Sequence, residues 1–421
     1  MMIVGSWSPS VSAANQKTTV YASDTTRAET ASGTSETPTE KVELSPAARR
    51  LQQAREALDV LDKLTRALRG HDDGRWDRIG QILRQTFDQV IEATSGQVTL
   101  GTSGNDAIAG RSNVDVQAGD GDDAIVAWSN SRVDGGAGND VVAVWSDSSV
   151  DGGDGDDTVD AWSNSSVSGG AGNDAIKAWS RSRIDGGDGD DVISAWAEST
   201  VSGAAGNDTI RAWSNSIVHG DDGDDTIIGG PGTTIYGDAG SDVIEAGHGS
   251  RIYAGQGNDD ITASHEAIVD AGDGDDHIMA SQGTIVDAGE GNDIIVASGS
   301  TVAGGKGDDH VSLSNSTAIF NVGDGNDMVR ADFTSNTIRL GGGITADQVK
   351  FSFDGEQTRI TFAGNDTDSI TLTTQWGGAV TLQFDDGVSF EVPPEFRKGL
   401  SVAQVSEKAA KVRESTLVRI A

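Results

Sequence analysis

Fourteen aspartates recur through the middle of this 421-residue chain at almost constant spacing. Asp106, Asp123, Asp140, Asp157, Asp174, Asp191, Asp208, Asp225, Asp242, Asp259, Asp276 and Asp293 stand 17 residues apart, and Asp309 and Asp327 follow after 16 and 18. A glycine lies two residues before each, from Gly104 to Gly325. A fixed step of this size marks a coil repeated along an axis, so that equivalent residues stack. Carboxylates stacked one strand spacing apart repel one another at every coil. A divalent cation between successive loops reverses the sign. Calcium accepts about six to eight oxygens, including carbonyls that glycine turns leave open. The row therefore points to Ca2+ ligation, with all fourteen aspartates as candidate metal ligands.

A finer alternation fits that reading. Asp120, Asp154, Asp188 and Asp222 fall in every second loop, with Ala137, Ala171 and Ala205 between them. Asp122 and Asp156 alternate in the same way with Asn139 and Asn173. Additional acids are diluted along the stack, as in a duplicated 34-residue unit, while the regular aspartate is never omitted.

The elements that must position this row are short strands. Ile125, Val142, Val159, Ile176, Ile193 and Ile210 follow their aspartates by two residues, and Ala127, Ala161, Ala178, Ala195 and Ala212 lie two further on. Val133, Val150, Val167, Ile184, Val201, Val218, Ile235, Ile252, Val269 and Val286 keep the same step. Period-two alternation turns each series inward on its own strand. One coil buries little by itself, but coils stacked about 4.8 Å apart join these residues into a continuous narrow core. The expected fold class is mainly β: a parallel, β-roll-like solenoid of 17-residue coils over 97–332.

Composition agrees. The chain carries 30 basic and 66 acidic residues and 56 glycines. Residues 97–330 hold 41 acids and 9 bases, a net of −32 that must be neutralised or leave the segment unfolded. Such a charge repels nucleic acid and anionic membranes and invites cations. No apolar run is long enough for a transmembrane helix, so membrane insertion is not expected. The absence of cysteine excludes disulfides and thiolate metal sites and leaves the compartment open.

The flanks read differently. Residues 1–42 are rich in Ser, Thr and Ala and resemble a disordered arm. Residues 43–96 suggest an α-hairpin. Ser45 and Pro46 would open one helix, with Leu51, Leu58, Leu61 and Leu68 at helical spacing. A second helix is expected over Trp76–Ala93. The hairpin is read either as a cap on the solenoid or as a docking module. Residues 333–400 read as a β-rich C-terminal module, and 401–421 as a terminal helix.

The loops resemble the glycine-rich nonapeptides of the repeats-in-toxin, or haemolysin-type calcium-binding, family. Gly135-Gly136-Ala137-Gly138-Asn139-Asp140-Val141-Val142-Ala143 and Gly152-Gly153-Asp154-Gly155-Asp156-Asp157-Thr158-Val159-Asp160 are close matches to the pattern. The resemblance covers about residues 101–330 and implies calcium as the cofactor. Such proteins commonly leave the cell by a type I route with an uncleaved C-terminal signal, which 401–421 would carry. Met1 to Ala14 lacks the basic n-region of a cleaved secretory leader. The stretches Leu340–Val349, Thr358–Phe362, Asp368–Leu372 and Leu382–Val388 are similar to the β-rich module that often follows these repeats. There are departures. The second half of each coil, as in Trp162-Ser163-Asn164-Ser165, lacks Gly and Asp ligands, so calcium should line one edge only. Ala118, Ala254, Ala271, Ala288 and Val322 replace the first loop glycine, and Ala204 and Asp221 the second, which should weaken those sites.

Trp128, Trp145, Trp162, Trp179, Trp196 and Trp213 keep the 17-residue step but are not part of the family pattern. Alternation puts them outward, as a ladder spanning roughly 24 Å at one strand spacing per coil. The ladder is either a covered structural stack or a recognition stripe for glycan or a cell-surface protein. Three functions stay open: a secreted, non-enzymatic adhesive protein, a purely structural matrix component, and a β-helix serving a polysaccharide-modifying enzyme. Ice binding by a regular face is a further alternative. No His-Glu-x-x-His or Gly-x-Ser-x-Gly motif occurs, and the histidines from His219 to His310 fall at scattered coil positions.

Overall fold

A strand in a parallel solenoid pairs with its equivalent one coil on, so the 17-residue step should return as the register of hydrogen bonding. The computed structural model describes residues 87–332, 334–353, 357–374 and 380–392, and there it does. In the first sheet β3 (Asp106–Gly110), β5 (Ala124–Ala127) and β7 (Val141–Val144) run parallel, with Ile108 opposite Ile125 and Ile125 opposite Val142. In the second sheet β4 (Asp115–Asp120), β6 (Arg132–Ala137) and β8 (Ser149–Asp154) align Val116, Val133 and Val150. Both ladders continue in this way to β27 (His310–Ser314) and β28 (Thr317–Phe320). The aspartate loops lead from the second sheet to the first. The Trp-Ser-Asn-Ser turns lead back.

The inward series are those the periodicity selects. Ile125, Ile176, Ile193 and Ile210 from the first sheet and Ile184, Val201, Val218 and Ile235 from the second are at most 1% exposed. Each such side chain contributes about 1.5–3 kcal/mol on burial. Ala127, Ala161, Ala178, Ala195 and Ala212 are buried beside them, small enough to let the sheets approach near the tryptophan turn. At the far end Leu313, Phe320, Leu340 and Phe384 take over equivalent inward positions, so the core side chains grow larger there.

Two boundaries differ from the sequence reading. Helical spacing over Trp76–Ala93 fails at its end, because β1 (Gln89–Ala93) is a strand paired with β3, Ile91 opposite Ile108. The 17-residue step thus reaches one coil further back than the glycine and aspartate do. Five residues with adjacent β-branched Val90 and Ile91 suit an edge strand, and apolar spacing over so short a run does not separate the two states. Residues 43–86 of the expected α-hairpin, the arm at 1–42 and the tail at 401–421 lie outside the described residues.

The C-terminal β-rich region extends the solenoid. β33 (Asn365–Thr374) pairs in parallel with β29 (Asn326–Ala331), and β34 (Val380–Phe384) with β30 (Asn336–Leu340). β31 (Val349–Phe353) and β32 (Thr358–Phe362) form an antiparallel hairpin against β33, and β35 (Ser389–Val392) runs antiparallel to β34. A change to antiparallel pairing stops the repeat and covers edges that would otherwise accept another strand.

Candidate metal centre

The aspartate turn stacks its side chains inward. From Asp123 onward each regular aspartate uses Oδ1 to accept the backbone N–H of its counterpart one coil earlier: Asp123 N–H to Asp140 at 2.8 Å, Asp157 N–H to Asp174 at 2.7 Å, Asp225 N–H to Asp242 at 2.8 Å. This ladder runs from Asp106 to Asp327, so all fourteen predicted ligands share one row. The carboxylates are at most 2% exposed. Their second oxygen is another matter. From Asp123 to Asp309, twelve consecutive Oδ2 atoms are buried with no hydrogen-bond partner. A buried polar atom without a partner costs about 1–3 kcal/mol, and more when charged. Asp106, at the start, differs: Thr102 donates its N–H and hydroxyl to Asp106 Oδ2, at 2.6 and 2.9 Å, and Oδ1 is the orphan.

Desolvation drives these carboxyls upward from their usual range. Neighbouring carboxylates add to the shift, and the N–H bond to Oδ1 offsets part of it. Asp123, Asp174, Asp208, Asp242, Asp276 and Asp309 rise to about 6. Asp140, Asp191, Asp225, Asp259 and Asp293 rise to about 7. Asp157 and Asp327 rise to about 8. Without a cation the row is short of positive charge, not of acid.

The donor set around the row suits a cation. At the first loop glycine, a Cβ on Gly135, Gly152, Gly169, Gly186, Gly203, Gly220 or Gly237 would lie under 3.0 Å from Oδ2 of its own loop aspartate and from the next coil's carbonyl oxygen. Two oxygens from two coils therefore lie close beside the first loop glycine, where a side chain would crowd both. The orphaned Oδ2, the adjoining carbonyl and the all-oxygen donor set are what calcium requires. In the coils of Asp123, Asp259, Asp276 and Asp293 an alanine Cβ already occupies that position, from Ala118, Ala254, Ala271 and Ala288. At the third loop glycine the conformation itself calls for glycine: Gly138, Gly155 and Gly172 have φ near +130° (128°, 129° and 131°).

On the exposed side of the same turn the alternating Asp/Asn row forms its own ladder. The N–H of Asn139 donates to Asp122 Oδ1 at 2.9 Å and that of Asp156 to Asn139 Oδ1 at 2.7 Å. The Asn292 side-chain amide also reaches Asp275 at 3.1 Å. Dilution of charge is thus accompanied by a donor placed beside each acceptor.

The opposite turn is built without acids facing inward. Ser131, Ser148, Ser165, Ser182, Ser199 and Ser216 are buried, and each accepts or donates along the stack, as in Ser131 N–H to Ser148 Oγ at 3.3 Å and Ser131 Oγ to the Trp128 carbonyl at 2.7 Å. Sequence reasoning missed this row, although it keeps the same 17-residue step. It also missed Thr102 and Asp238 as further replacements of the second loop glycine. The turn's left-handed position holds Asn130 and Asn164 at φ 62° and 63°, and Gly232 and Gly249 in later coils.

Residues 181–199, 199–216, 214–233 and 219–250 match four copies of the RTX calcium-binding nonapeptide repeat. This is a calcium-binding β-solenoid. The RTX match lies inside the longer aspartate row. No curated protein sequence matches the chain. Among solved structures, a hyperactive, Ca2+-dependent, β-helical antifreeze protein from an Antarctic bacterium is similar at 18% identity with a TM-score of 0.40, over 57% of this chain and 83% of that one.

Beside the aspartate loops stands the tryptophan ladder, on the outward side. Neighbouring rings from Trp145 to Trp213 stack, with centroids 6.1, 5.2, 4.5 and 4.8 Å apart, while Trp128 is tilted 42° against Trp145. Trp162 and Trp213 are 43% and 41% exposed, and the others half-buried. Lys177 Nζ lies 5.6 and 5.7 Å from the Trp179 and Trp196 rings, within cation–π range. Trp128 and Trp145 pack against a small second cluster of Ala107, Ala109, Ala124 and Val126 on the outer side of the first sheet.

Proposed function

We propose that this chain is a secreted, non-enzymatic protein that folds on calcium and acts in surface, matrix or host adhesion through its tryptophan face. The observation that carries the folding half is the run of twelve buried, partnerless carboxylate oxygens. Such a row is unfavourable in the absence of cations and becomes a ligand array in their presence, with Asp106 to Asp327 as the ligands and calcium confined to their edge. Folding and metal binding are then one event. Extracellular calcium modules work at about 0.1–1 mM, which matches a site made from few charges per ion. Export by a type I route, with its signal in 401–421, follows from the resemblance to the RTX family. Adhesion rests on six adjacent indoles that the later coils do without. Their faces suit sugar rings or apolar protein patches, and Ser129, Asn130 and Ser131 supply hydrogen-bonding groups nearby.

Circular dichroism under chelation and then under millimolar calcium tests the folding half. Chelator should abolish most of the β signal and calcium restore it, with tryptophan fluorescence following the same midpoint. A β signal indifferent to chelator sinks the reading.

A further inference from the structure

The second loop position is glycine in most coils, as at Gly153, Gly170, Gly187, Gly255 and Gly272. At Asp221 and Asp238 it is aspartate, held at φ 73° in both cases, a conformation that side chains other than glycine adopt at a cost. The two are register partners on β16 (Ile217–Asp222) and β18 (Thr234–Ala239). His219 precedes Asp221 by two residues on β16 and so shares its face. One ligand atom from each of His219, Asp221 and Asp238 lies within 4.8 Å of the other two. His219 Nδ1 is 3.0 Å from Asp238 Oδ2, and Ser202 Oγ donates to Asp221 Oδ2. The imidazole is further held by stacking on Tyr236, centroids 4.5 Å apart and planes 5° apart, with Tyr253 behind it at 5.0 Å.

A hydrogen bond accounts for His219 with Asp238. It does not account for Asp221, a second carboxylate brought beside the first at a position where glycine would relieve both strain and repulsion. We propose that His219, Asp221 and Asp238 form a site for a borderline transition-metal ion of the Zn2+ class on the outer face of the second sheet. One imidazole nitrogen and two carboxylates on adjacent coils make a three-ligand set with a position left for water or a partner's donor. Calcium prefers more ligands, all of them oxygen, so nitrogen separates this site from the inward aspartate row. The Tyr236 stack and the Ser202 hydroxyl fix two of the ligands before the ion arrives.

The full chain, saturated with millimolar calcium, is titrated with Zn2+ by calorimetry, and Co2+ is used as a spectroscopic substitute. Asp221→Gly restores the residue of the other coils and keeps the fold, and His219→Ala removes the nitrogen. We expect one zinc equivalent that excess calcium does not displace, weakened more than about tenfold in either variant, with the Co2+ absorption lost in His219→Ala. Absence of a calcium-resistant zinc equivalent overturns the proposal. So does zinc binding that both variants, checked for an unchanged circular dichroism spectrum, retain at the parent's affinity.

Discussion

Asp174 shows what one aspartate does in the stack. Its Oδ1 accepts the Asp157 N–H at 2.7 Å, and its Oδ2 is buried without a partner. Replacement by alanine removes both roles and strands a buried N–H, at a cost of about 1–3 kcal/mol unrelated to metal. Asp174→Asn keeps an oxygen for that N–H and removes the charge. It should lower the calcium bound per chain, measured by equilibrium dialysis, by one or two ions, because the loop faces a neighbour on each side. Asn164→Gly on the opposite turn should leave the count unchanged, since φ 63° there suits glycine and the residue is exposed. Equal losses would remove calcium from the aspartate edge. At this scale sequence showed the aspartate row because like charges at a fixed step demand an explanation. The serine row keeps the same step, but a neutral hydroxyl satisfied by backbone makes no such demand. Which aspartate reaches about 6 and which about 8 follows from how deeply each is buried and then from its Coulomb neighbours in space, neither of which spacing alone reveals.

Strands and turns tell how much of the tryptophan ladder belongs to the fold. The backbone bond from Trp213 N–H to the Ala195 carbonyl, 2.9 Å, is repeated one coil later by Gly230 N–H to the Ala212 carbonyl at 2.8 Å. Gly247, Ser264 and Ser281 continue it. The turn therefore closes equally well without an indole. Changing Trp162 and Trp179 together to Ser should leave the calcium midpoint of folding within about twofold of the parent and remove adhesion to glycan or cell surfaces, read by binding to immobilised glycans and cells. Loss of folding with no separable binding defect would make the ladder a structural stack. The solenoid strands were legible because alternation and the 17-residue step agree over many coils. β1 was not, since its coil lacks the glycine and aspartate that mark the others. The terminal coils were legible as strands but not as a continuation, because β33 and β34 pair back across an inserted hairpin and no constant step survives the insertion.

For the whole molecule the raised carboxyls set a pH dependence with a definite sign. An unfolded aspartate titrates near 3.8, and the same groups in the cation-free fold titrate near 6 to 8. Between those values the folded state holds protons that the unfolded state has released. Stability without calcium must then fall as pH rises. The contribution is fully present below about 3.8 and is lost as pH climbs through 6 to 8. Protons and calcium are alternative ways to neutralise one row that carries much of the −32 net charge of residues 97–330. In chelator, the β signal at pH 5 should therefore exceed that at pH 8. In calcium the chain should be folded at pH 8, and the calcium midpoint should move to higher concentration as pH is lowered, because each ion must displace protons. Adding calcium at pH 5 in weak buffer, where the chelated fold still holds its protons, should release them, measurable with an indicator dye. A chelated chain more folded at pH 8 than at pH 5 would mean that the aspartate row is not the buried, cation-seeking ladder described by its hydrogen bonds.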